Sequence, residues 1–103
     1  MIKAIDKQGF EDVLKITGKR VVVEFKTNWC SYCKRLAPII DEIGEEYSNE
    51  IELFCVDIDD NPDLAEQYDV MTVPTVYVFL NGEVMGNAVN PRTKEALLEL
   101  IFR

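Results

Sequence analysis

Apolar residues run almost unbroken from Val21 to Phe25, with Glu24 as the one charged interruption. Near-continuous β-branched residues suit a central strand covered on both faces, so residues 20–26 are predicted as such a strand. Ile51 to Asp57 reads the same way. Between them Leu36, Ile39, Ile40, Ile43 and Tyr47 recur at helical spacing, while Asp41, Glu42, Glu45 and Glu46 fill the other positions. That pattern predicts an amphipathic helix from about Cys30 to Tyr47. Pro38 lies inside it and removes a backbone donor, which should kink it. Upstream, Ile2 to Ile5 is predicted as a short edge strand. Asp6 is placed to cap a helix to about Lys15 that presents Phe10, Val13 and Leu14 on one face. Gly18 ends that unit.

Downstream, Asp59-Asp60-Asn61-Pro62 marks a turn and a helix start, with Pro62 suited to the first helical position. That short helix is expected to reach about Tyr68. Thr75 to Leu80 and Glu83 to Ala88 are predicted strands joined by an Asn81-Gly82 hairpin turn. Thr93 to Phe102 closes the pattern as an amphipathic helix. The order β-α-β-α-β-α-β-β-α predicts an α/β fold, a mixed sheet with helices on both faces. With 103 residues and no linker, repeat or low-complexity segment, residues 1–103 are expected to form a single domain.

Trp29-Cys30-Ser31-Tyr32-Cys33-Lys34 stands where the first central strand gives way to the long helix. Two cysteines separated by two residues can close a small disulfide with little backbone movement. A sulfur at a helix N-terminus meets unpaired N–H groups and the positive end of the macrodipole, both of which favour a thiolate. The pattern therefore describes a reactive dithiol, and its place beside a βαβ pattern reads as a redox motif.

Composition narrows the picture. The chain has 48% hydrophobic and 29% charged residues, ordinary for a globular protein. No apolar stretch approaches the roughly 18 residues of a membrane span, and the first residues lack the layout of a signal peptide. These features lead us to expect an intracellular, cytoplasmic protein, where three cysteines are not a disulfide framework. A net charge of −8 without a Lys/Arg stripe disfavours nucleic acid and anionic membranes as partners. There is no histidine, so proton transfer falls to carboxylates, cysteines, tyrosines or water. Tetrahedral zinc needs four ligands, and beyond Cys30 and Cys33 only Cys55 remains, so no metal is expected.

Several pieces now stand in order: the acidic residue within Val-Val-Glu-Phe, Trp-Cys-x-x-Cys-Lys, Leu-Ala-Pro-Ile, Val-Asp-Ile-Asp-Asp-Asn-Pro, Val-Pro-Thr and Asn-Gly-Glu-Val. Together, over nearly the whole length, they resemble the thioredoxin family. The resemblance implies a five-stranded mixed sheet in the order 1-3-2-4-5, flanked by four helices, and a cis Pro74 beside the dithiol. It implies a protein thiol–disulfide oxidoreductase that reduces client disulfides and needs no cofactor beyond the Cys30–Cys33 pair. A flavoprotein thioredoxin reductase would regenerate it. Alternatives are a more oxidising exchanger of the isomerase or glutaredoxin kind, or a non-catalytic binding module on the same fold.

The resemblance also distributes roles. Cys30 is the expected nucleophile, and Cys33 is the resolving thiol, expected to be the more buried. Glu24 stands where the family has a buried aspartate that helps deprotonate the second cysteine. Strand alternation puts it opposite Val21, Val23 and Phe25, and burial without a partner raises a carboxyl pKa towards neutrality. Trp29 and Tyr32 are expected to form a flat contact surface for an extended client, next to Val73 and to Pro74, whose backbone groups would pair with it. Cys55 replaces a lysine common near the buried acid and reads as a core residue. The chain departs from the family at Ser31-Tyr32, usually Gly-Pro, and at Asn90, where glycine is common.

Overall fold

The computed structural model describes residues 2–103. Its elements are β1 (Lys3–Ala4), α1 (Lys7–Val13), β2 (Arg20–Lys26), α2 (Ser31–Glu46), β3 (Ile51–Asp57), α3 (Pro62–Gln67), β4 (Thr75–Leu80), β5 (Glu83–Val89) and α4 (Lys94–Ile101). The five strands form one sheet in the order β1-β3-β2-β4-β5. β1, β3 and β2 are parallel, whereas β4 and β5 join antiparallel. This is the mixed sheet expected from the pattern and from the resemblance.

The alternation of β2 sorts the core. Val21, Val23 and Phe25 pack with Phe10, Val13 and Leu64 on the side of α1 and α3. Val22 packs with Leu36, Ile40, Ile43, Leu97 and Ile101 on the side of α2 and α4. Glu24 shares the parity of Val22, so it points towards the α2 and α4 layer and is buried at 3% exposure. Its Cα pairs with Cys55 on one neighbouring strand and Val76 on the other.

Boundaries differ from the sequence pattern by a residue or two. β1 is only Lys3–Ala4, and α1 stops at Val13, with Asp6 as its cap accepting from the Gly9 N–H at 2.9 Å. Two helix starts fall one residue later than expected because Cys30 and Thr93 are caps, with extended backbone, and not first-turn residues. α2 runs through Pro38 as one element. Asn81 and Gly82 both have positive φ, the conformation of a tight hairpin turn matched to strand twist.

Candidate active site

β2 ends at Lys26, and three loop residues carry the chain to Cys30, the N-cap of α2. The Cys30 Sγ accepts a hydrogen bond from the Cys33 N–H at 3.1 Å, the position a serine or aspartate oxygen takes in an ordinary cap. A thiolate there gains both a charge-assisted bond and the helix dipole. The Cys30 thiol also donates to the Val73 carbonyl at 3.8 Å. All three cysteines are free thiols.

Cys30 and Cys33 are equally buried, each 5% exposed, so the expectation of a more buried Cys33 does not hold. What separates them is direction. Cys30 lines a shallow depression of about 430 Å³ together with Trp29, Tyr32, Met71, Thr72 and Val73. Cys33 lines a different cleft, of about 390 Å³, that also holds Glu24, Lys26, Thr27 and Cys55. The Cys33 thiol is pushed up to about 12, first by burial and then by its interaction with Cys30. The Thr27 backbone pulls it down, and the charges of Cys30 and Glu24 raise it further. Cys33 thus holds its proton at neutral pH.

Glu24 is raised from 4.5 to about 7 by burial, with Lys26 lowering it and Asp41 raising it. Its Oε2 has no hydrogen-bond partner among the described residues. A buried carboxyl that titrates near neutrality thus opens on the same cleft as the Cys33 thiol. Cys55 also lines this cleft and is 4% exposed, and burial pushes its thiol up as well. It packs as a core residue.

On the outer side Trp29 is 72% exposed, Tyr32 44% and Met71 88%. The Trp29 indole N–H donates to Asp59 Oδ2 at 2.9 Å. The Val73–Pro74 peptide is cis. Pro74 itself is buried, and its carbonyl accepts from the Asn90 N–H at 2.7 Å. As a proline it has no N–H of its own. The backbone carbonyl facing Cys30 is that of Val73. Met71, Thr72 and the tie between Asp59 and the indole are not visible in the sequence pattern. Met71 and Thr72 carry no chemical signature, and Asp59 sits 30 residues from the indole it holds.

Among the described residues no group of three or more His, Cys, Asp or Glu is placed to hold a metal ion, and no helix is long and apolar enough to cross a membrane.

Comparison with known proteins agrees with this geometry. The Thioredoxin family model matches residues 1–103. The chain is 38% identical over 96 residues to a thioredoxin of Rickettsia bellii, covering 93% of this chain and 90% of that protein. It is 37% identical over 81 residues to a thioredoxin of Bacillus subtilis, covering 79% of this chain and 78% of that one. A bifunctional thioredoxin reductase/thioredoxin of Mycobacterium leprae is 36% identical over 97 residues; the match covers 94% of this chain but only 21% of that longer protein.

Proposed function

Because the chain belongs to the thioredoxin family and is a thiol–disulfide oxidoreductase, we propose that it reduces the disulfides of client proteins with Cys30 as nucleophile and Cys33 as resolving thiol. The observation that carries the assignment is the Cys33 N–H donating to Cys30 Sγ at the start of α2. It singles out one sulfur of the pair for stabilisation as thiolate.

The reaction runs in two exchanges. The Cys30 thiolate attacks one sulfur of a client disulfide, forming a Cys30–client mixed disulfide and releasing the other client sulfur as a thiolate, which takes up a proton. Cys33 then gives its proton to Glu24, directly or through water in the cleft they share. The Cys33 thiolate attacks the Cys30 sulfur, and the remaining client sulfur leaves with a proton. The client gains two electrons and two protons, and the chain is left with a Cys30–Cys33 disulfide. A thiol held at about 12 attacks slowly unless something receives its proton, which is the part given to Glu24.

Trp29, Tyr32 and Val73 form the client-facing wall, with Pro74 fixing the backbone behind them. A flavoprotein thioredoxin reductase supplies the electrons; the Mycobacterium leprae relative, whose name joins a thioredoxin reductase to a thioredoxin, supports that pairing. Residues 1–103 work as one domain in the cytoplasm, with neither metal nor nucleotide bound. Insulin-disulfide reduction, driven by NADPH and a thioredoxin reductase, tests the reading. Turnover with the reductase is expected. Exchange with glutathione alone, and none with the reductase, would favour the glutaredoxin-like alternative.

A further inference from the structure

Acidic residues outnumber basic ones by 19 to 11, yet two arginines converge on a single ring beside the dithiol. The Arg35 Cζ lies 5.3 Å from the centroid of Tyr32, and the Arg92 Cζ lies 5.2 Å from it. Neither guanidinium has a carboxylate in ion-pair reach among the described residues. Glu42 and Glu46, on the same helix as Arg35, are each taken by Lys94 at 2.7 Å. An aromatic face offsets only part of the repulsion between two like charges. Both guanidinium groups keep N–H donors suited to a planar anion.

The two arginines edge a cavity of about 200 Å³ with Tyr32 as one wall and Leu36, Ile39 and Pro91 as apolar lining. Tyr32 also lines the depression that holds Cys30, so the two hollows share this side chain. The loop that carries Arg92 is tied down. Asn90 donates to the Pro74 carbonyl at 2.7 Å, and Pro91 is buried.

We propose that this cavity is a specificity subsite for a carboxylate of the disulfide substrate, held between Arg35 and Arg92 while Cys30 engages the neighbouring sulfur. The proposal rests on the oxidoreductase reading above. A chain of net charge −8 repels acidic substrates at long range, and a local pair of guanidinium groups reverses the field where the disulfide docks. The carboxylate belongs either to an acidic residue next to a client cysteine or to glutathione, which carries the same group beside its sulfur.

The test measures second-order rates at which the reduced chain attacks four substrates. Three are peptides with one intramolecular disulfide flanked by Asp, Gln or Lys, and the fourth is glutathione disulfide. The wild type is expected to prefer the Asp peptide over the Lys peptide. Arg92→Ala should lower that ratio about fivefold, the size of one partly exposed charge pair. Arg35→Ala should act in the same direction, and Arg92→Glu should invert the preference. High salt should erode it in the wild type. If Arg92 matters for glutathione disulfide alone, the carboxylate is that of the small molecule; if for the Asp peptide, it is that of a protein client. An Asp-to-Lys ratio and a glutathione rate that are the same in wild type and all three variants would overturn the subsite while leaving the oxidoreductase intact. Failure to reduce even the Gln peptide would overturn the oxidoreductase reading and the subsite with it.

Discussion

Trp29 and Asp59 are joined by a hydrogen bond of 2.9 Å that reaches from the dithiol loop to the turn after β3. Asp59 is itself oriented by its N–H, which donates to Asp57 Oδ1 at 2.8 Å. A 72% exposed indole would otherwise sample several rotamers, and ordering it on binding would cost side-chain entropy. Asp59→Ala is expected to raise the KM for protein clients severalfold with a smaller effect on kcat, while stability changes by about 1 kcal/mol or less. Trp29 is the only tryptophan, so its fluorescence anisotropy reads the loosening directly. Asp59→Asn keeps an acceptor and should recover most of the effect. Unchanged anisotropy and KM in the alanine variant would mean that the bond orients nothing.

The proposed division of labour between the two sulfurs predicts opposite phenotypes. Cys30→Ser should abolish disulfide reduction, since it removes the proposed nucleophile. Cys33→Ser should still attack but fail to release, accumulating mixed disulfides visible on non-reducing gels and by mass spectrometry. Normal turnover by Cys33→Ser would show the roles to be reversed or shared.

Much of this was written locally. The Val21–Phe25 run fixes a central strand, and its alternation already places Glu24 on the face opposite Phe25, where α2 and α4 cover it. Asn81-Gly82 fixes the hairpin because few other pairs tolerate two positive φ angles. What stayed hidden depends on contacts between distant segments. Whether Cys30 begins the helix or caps it depends on backbone angles that helical periodicity does not encode. The Asp59 anchor and the approach of Arg92 to Tyr32 need the β3–α3 and β5–α4 loops brought to the same end of the sheet. Pro74 stands out by residue type, but that the carbonyl facing Cys30 belongs to Val73 is visible only in the folded chain.

Asn90 explains a departure that the family resemblance only noted. It has φ +51, the left-handed region that glycine adopts freely and asparagine tolerates better than other residues. Asn90→Gly should therefore be close to neutral. Asn90→Ala should cost about 1 kcal/mol and loosen the tie to Pro74, which chemical denaturation of the three proteins would measure. Equal stability of the alanine and glycine variants would contradict this account.

With the proposed role as proton acceptor, Glu24 links stability, pH and turnover in one residue. Folding holds its carboxyl at about 7 instead of 4.5, so between those values the folded state binds a proton that the unfolded state has released. By linkage, its contribution to stability falls as pH rises through that window. The penalty is complete above about pH 7, where both states are ionised, and amounts to roughly 3 kcal/mol at most. Below about pH 4.5 it vanishes. Glu24→Gln removes this dependence but buries an amide at a site where Oε2 finds no partner, a cost of about 1–3 kcal/mol. The variant should therefore be less stable than wild type in acid, and its relative stability should climb by up to roughly 3 kcal/mol as pH rises from about 4.5 to about 7, then level off. Denaturant titrations of both proteins across that range would show it. A parallel pH dependence in the two proteins, or a Glu24 carboxyl titrating near 4.5 by NMR, would remove the buried-acid account. Turnover separates this from a purely structural role. The amide cannot take a proton from Cys33, so resolution of the mixed disulfide should slow by about tenfold or more in Glu24→Gln. The first attack by Cys30 should be affected much less. Glu24→Asp, which retains a carboxyl, should restore part of the resolving rate. If Gln and Asp resolve equally well, the proton leaves Cys33 by another route.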